Sequence, residues 1–141
     1  MISQPVLIDT GPLVALLSPQ DPYHRVCADQ AKSISGEVFT SCAVVTEAAW
    51  LLRHLPDGIA RLMQAINERN IRCLHLDSHS YHWLADVASR YSDLIPQLAD
   101  LSLLYLAEQH QIEHVFTLDR RDFTVFRTAA GESFQLLPPN F

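Results

Sequence analysis

Val6-Leu7-Ile8-Asp9-Thr10-Gly11-Pro12-Leu13-Val14-Ala15-Leu16-Leu17 is the stretch whose reading decides the fold. Val6, Leu7 and Ile8 make a short apolar run that stops at a turn signal, which reads as a strand. Asp9-Thr10-Gly11-Pro12 turns the chain. Leu13, Leu16 and Leu17 then recur at helical spacing, with Pro12 suited to a helix's first turn. Strand, tight turn and helix in that order place an acid, Asp9, at the carboxyl end of a strand.

The same alternation continues along the chain. A helix is expected from about Pro22 to Ile34, a strand at Val38-Phe39-Thr40, and a helix capped by Ser41 that runs through His54 to the break at Leu55-Pro56-Asp57-Gly58. Ile59, Leu62, Met63 and Ile66 repeat at i, i+3, i+4, i+7 with polar residues between them, an amphipathic helix. Residues 71–76 read as a strand, and Asp77 is placed to cap a helix carrying Leu84, Val87, Ala88 and Tyr91. Asp100 to Gln111 is nearly all apolar, as in a helix buried on more than one side, and residues 114–118 form a further strand. Phe134-Gln135-Leu136-Leu137 ahead of two prolines suits a last edge strand. Short strands alternating with helices of ten or more residues imply an α/β fold around a mainly parallel sheet flanked by helices, with right-handed crossovers.

With 141 residues and no repeat, linker or low-complexity tract, the expectation is a single domain over residues 1–141. Hydrophobic residues make up 48% and charged residues 18%, far from a disordered composition. No apolar run reaches spanning length and the first residues lack a secretion signal, so a cytoplasmic protein with no membrane partner is expected. Lys and Arg number 10 against 16 Asp and Glu, a formal charge of −6 that excludes binding of nucleic acid through a broad basic surface. Cys27, Cys42 and Cys73 are odd in number and lack a CxxC spacing, so they read as buried thiols.

In open parallel sheets ligands bind beyond the carboxyl ends of the strands. Four carboxylates fall there: Asp9 after the first strand, Glu47 in the second turn of the helix after the second, Asp100 at the start of the buried helix, and Asp119 after Val115-Phe116-Thr117-Leu118. Each alone could be a cap, a turn residue or a solvated helix residue. Glu47 fits a solvated role worst, because Val44, Val45, Ala48, Ala49, Leu51 and Leu52 surround it. Four acids brought together would repel one another, and a divalent cation removes that repulsion. Hard oxygen donors select Mg²⁺ or Mn²⁺.

Residues 7–17, Thr46-Glu47-Ala48, residues 98–108 and residues 115–123 together resemble the PIN domain, and most closely the VapC-type toxins of bacterial type II toxin–antitoxin pairs. The motif-bearing core spans about residues 6–126. The resemblance implies a PIN-like fold and an Mg²⁺-dependent endoribonuclease, with Mn²⁺ able to substitute. Asp9, Glu47, Asp100 and Asp119 would be the catalytic acids. Asp9 and Asp100 would be direct metal ligands, and Glu47 and Asp119 would act through water or a second ion. It further implies an RNA substrate, a homodimer, and an antitoxin whose tail enters the acidic groove. Thr10 and Thr117, beside two of the acids, are placed to orient a carboxylate or a phosphate, and Arg120 and Arg121 to contact RNA phosphates or to pair with Asp122 or Glu132.

Rival readings are weaker. Asp9-Thr10-Gly11 matches the Asp-Thr-Gly of aspartic proteases, but those are all-β and this motif runs into a helix. A phosphatase with an aspartyl nucleophile wants a second acid two residues on, where Gly11 stands. His75, Asp77, His79 and His82 straddle a strand-to-helix break and lack a completing Cys pair, so they read as surface or strand-end residues rather than a zinc site. Asp93 reads as a turn residue, and Asp122 is left outside the site. Trp50, Trp83, Tyr91 and Tyr105 fall at helical spacing and suit core or dimer contacts better than base stacking. A housekeeping RNA-processing nuclease of the same fold, and an inactive binding module, remain as alternative functions.

Overall fold

The computed structural model describes residues 1–141. The sheet grows from Val6–Ile8 (β1), three residues with essentially no exposed surface. A strand enclosed on both faces must be apolar throughout, which is why it reads as a continuous run. Thr10–Leu17 (α1) follows directly, with Asp9 as its N-cap, and His24–Lys32 (α2) returns the chain to Val38–Ser41 (β2). Cys42–Leu51 (α3) and Gly58–Asn67 (α4) lead to Arg72–Leu74 (β3). Ser80–Arg90 (α5), a 3₁₀ turn at Ser92–Leu94 and Leu98–His110 (α6) precede His114–Phe116 (β4), Arg121–Val125 (α7) and Gln135–Leu137 (β5). No helix is long and apolar enough to cross a membrane.

All five strands are parallel, in the order β3-β2-β1-β4-β5. The chain steps outward from β1 to β2 and β3, then returns to lay β4 on the other side of β1. Strand order therefore reverses between β1 and β4, whose registers pair Leu7 with Val115 and Ile8 with Phe116. Asp9 continues the pairing, its amide donating to the Phe116 carbonyl at 2.9 Å. The crevice at such a reversal is where ligands bind in sheets of this kind.

Three buried hydrogen bonds fix the helices and strands that border the crevice. The Ser41 hydroxyl accepts from the Val44 amide at 3.2 Å, capping α3, and lies 2.7 Å from the Ser102 hydroxyl on α6. The Thr40 hydroxyl donates to the Ile8 carbonyl at 2.9 Å, tying the carboxyl ends of β2 and β1. Buried hydroxyls need such partners, and here they set the spacing of the elements bearing Asp9, Glu47 and Asp100.

Several boundaries differ from the sequence reading. The buried helix begins at Leu98 with Gln97 as its N-cap, so Asp100 lies inside the first turn rather than opening the helix. α3 ends at Leu51 with Leu52 as C-cap, three residues short of His54. Asp77 does accept from the His79 amide at 3.0 Å, but α5 starts only at Ser80. Among the cysteines only Cys27 is buried; Cys42 is exposed at the start of α3 and Cys73 is half-buried in the outermost strand β3. α7 was not foreseen, because five residues hold too little periodicity to show a helical face. Trp83 and Tyr105 pack edge to face, as do Tyr91 and Phe126, whereas Trp50 on α3 is 64% exposed and not part of the core.

Candidate active site

A cleft of about 580 Å³ opens at the β1–β4 reversal, and Asp9, Glu47, Asp100 and Asp119 all line it. The four acids arrive from four elements: the end of β1, the second turn of α3, the first turn of α6 and the loop after β4. Thr10, Gln97, Arg121 and Asp122 line it as well, with Leu51, Leu94, Ile95 and Leu118.

Asp9 is the most enclosed, 7% exposed. One carboxylate oxygen accepts from the Thr10 amide at 2.8 Å and the other from the Thr117 hydroxyl at 2.8 Å. Burial raises its pKa; the bonds from Thr10 and Thr117 oppose that rise, and the charges of Glu47 and Asp119 add to it. Asp100 is pushed up to about 8, chiefly by burial, then by the nearby Asp9 charge and by a hydrogen bond with Asp122. Glu47 accepts from the Thr10 hydroxyl at 3.3 Å.

Asp119 is the exception. Arg121 donates to it through Nε at 3.2 Å and a terminal nitrogen at 3.1 Å, one bond to each oxygen, and this pairing holds the Asp119 pKa below the usual carboxylate range. Arg121 is also the only basic residue lining the cleft.

Two expectations for substrate contact change. Thr117 has no exposed surface, so its hydroxyl serves Asp9 and the Asp119 carbonyl rather than a bound phosphate. Arg120 turns away from the cleft: its guanidinium donates to the carbonyls of Thr117 and Pro138 and sits over the Phe141 ring. Asp122 and Gln97 were missed. Asp122 stands three residues after Asp119, a spacing that becomes informative only once α7 is known to be helical. Asp77 is taken up by the His79 amide and the Tyr105 hydroxyl, and His82 by Asp86, all away from the cleft.

The donor set suits a hard cation. Asp9 and Asp100 are carboxylates with no cationic side chain bonded to either, and a divalent ion would offset the burial, and after it the repulsion, that lift both pKa values. No group of three or more His, Cys, Asp or Glu side chains is gathered to hold an ion by itself. Mg²⁺ does not require one, since it keeps several waters and binds through one or two carboxylates.

A family model for the PIN domain matches residues 6–130, and the chain belongs to that family. It is similar to Ribonuclease VapC26 of Mycobacterium tuberculosis, 24% identical over 135 residues that make up 94% of this chain and 100% of the relative. The solved structure of VapC20 from Mycobacterium tuberculosis, described as a sarcin–ricin loop cleaving toxin, superposes with a TM-score of 0.71 at 19% identity. It covers 82% of this chain and 91% of that one. VapBC2 from Rickettsia felis, solved bound to a DNA fragment from its promoter, gives a TM-score of 0.64 at 12% identity over 94% of this chain and 98% of that one. The PIN-like α/β fold expected from the sequence is the fold observed.

Proposed function

We propose that the protein is a divalent-metal-dependent endoribonuclease and the toxin of a type II toxin–antitoxin pair. The observation that carries the reading is the convergence of four acids from four separate elements on one cleft, with Asp9 and Asp100 lacking a cationic partner. Family membership and the similarity to ribonucleases of the VapC group support it.

In this reading Asp9 and Asp100 would hold Mg²⁺ or Mn²⁺, and Glu47 and Asp119 would act through water or a second ion. The chemistry a bound cation would supply is an activated water for attack on the phosphodiester and an offset to the negative charge on the phosphoryl and leaving oxygens. The chain's own residues fix the geometry. The Thr10 amide and Thr117 hydroxyl donate to the two oxygens of Asp9 and hold its orientation at the cleft. The Thr10 hydroxyl steadies Glu47 across the opening, and Arg121 at the rim is placed to meet a phosphate of the RNA.

The partners follow from the same reading. The net charge of −6 gives little general attraction for RNA, so binding rests on the cation and a few placed contacts. Trp50, Leu51, Ile95 and Leu98 are large apolar side chains left exposed around the cleft, a surface suited to a second copy of the chain. An antitoxin would insert a basic side chain among the acids, satisfying them by the same electrostatics as a cation. The proposed site of action is the cytoplasm, where RNA is met. Expression in a bacterial host tests the toxin role. Growth arrest that disappears with Asp9→Asn and is relieved by a small reading frame encoded directly upstream is expected. Normal growth with active enzyme would favour a housekeeping RNA-processing role.

A further inference from the structure

The four acids of the cleft differ in their counter-charge, and the difference assigns a role to Arg121. Asp9 and Asp100 have no basic partner, whereas both oxygens of Asp119 are taken by the Arg121 guanidinium, through bonds of 3.2 and 3.1 Å. A fork of this kind matches a carboxylate bidentately and matches a phosphate equally well. Both side chains are largely exposed, 87% for Arg121 and 67% for Asp119, so the pair is weak and exchanges readily. Arg121 lines the same cleft as Asp119 and Asp122, so the guanidinium sits at the rim of the site.

Resting on the metal-dependent reading above, we infer that Arg121 is an internal latch. It occupies Asp119 in the RNA-free protein, so that only the Asp9–Asp100 side is open to a divalent cation, and it releases Asp119 when an RNA phosphate takes the guanidinium. The positive charge that discourages a cation at Asp119 is then spent on the substrate, and the second acidic position opens only when there is a phosphodiester to cleave. Arg121 is thus a positioning residue acting through Asp119.

The test is Mn²⁺ binding to the RNA-free protein, followed by isothermal titration and by the free-ion paramagnetic resonance signal. It compares the unaltered chain with Arg121→Ala, Arg121→Lys, and Arg121→Ala combined with Asp119→Asn. The expected result is one ion per chain for the unaltered protein. Arg121→Ala should fill a second position about three- to tenfold more tightly than the unaltered chain, which fills it only weakly. Arg121→Lys, which keeps the charge but loses the fork, should fall between, and Asp119→Asn should abolish the gain. Coincident melting curves would show that the exposed substitution leaves the fold intact. Equal stoichiometry and affinity in Arg121→Ala and the unaltered chain would overturn the latch. If the unaltered chain binds one ion and Arg121→Ala gains none, the latch alone falls; if neither binds any, the metal-dependent reading falls with it.

Discussion

Replacing Asp100 by Asn should stabilise the metal-free protein, and by an amount that depends on pH. Asp100 has its pKa raised from the ordinary 3.8 to about 8, so the folded chain keeps a proton that the unfolded chain has already released. Between those two values the native state binds more protons than the unfolded state, and stability from this group is lost as pH rises. At pH 7 the gap is about three units, which at about 1.4 kcal/mol per unit is on the order of 4 kcal/mol for a fully enclosed carboxyl. Asp100 is only partly buried, and screening by water in the cleft reduces this to about 1–2 kcal/mol. Asn carries no charge to desolvate, so in EDTA at pH 8 the variant should melt about 3–6 °C above the unaltered protein, and the two should converge near pH 4. Circular-dichroism melts across that range measure it directly. Adding Mg²⁺ should narrow the gap by stabilising only the chain that still has its carboxylate. A variant no more stable than the parent at pH 8, or a difference that does not change with pH, would refute the account of Asp100 as an uncompensated acid.

Three further outcomes follow from particular contacts. Thr117→Val keeps the shape of a fully buried side chain but removes the hydroxyl that holds Asp9; RNA cleavage should fall about 10- to 100-fold and Thr117→Ser should restore most of it. Gly36→Ala would drive its new methyl group into the backbone of Ser3 and Gln4, and chemical denaturation should show a loss of about 1–3 kcal/mol. Trp50→Glu or Leu98→Glu places a charge on the exposed apolar rim, and light scattering should show a dimer converted to monomer with the fold retained.

The sheet, Asp9 and Asp119 were legible in the sequence because their signals are local, whereas Glu47 and Asp100 lie inside helices and are gathered only by the fold. Val6-Leu7-Ile8 and Val115-Phe116 are short apolar runs of the kind that strands buried on both faces require, and an acid soon after such a run falls at the strand's carboxyl end. What was not legible depends on where side chains turn after the chain has folded. Arg120 and Arg121 are adjacent and chemically alike, yet one satisfies two backbone carbonyls and the other grips Asp119 in the cleft. Asp122 joined the site only because α7 turns it back toward Asp100. Cys42 looked buried among apolar neighbours, but it opens a helix whose other face carries Val44 and Ala48 into the core.

The most direct test of the central claim, that the acidic cleft cuts RNA with a divalent cation, is to map RNA ends after incubating total RNA with the purified protein and with Asp9→Asn. Discrete cuts bearing 5′-phosphates are predicted with Mg²⁺ or Mn²⁺, lost in EDTA and absent with Asp9→Asn. The same cuts produced by Asp9→Asn, or by the unaltered protein in EDTA, would contradict the account.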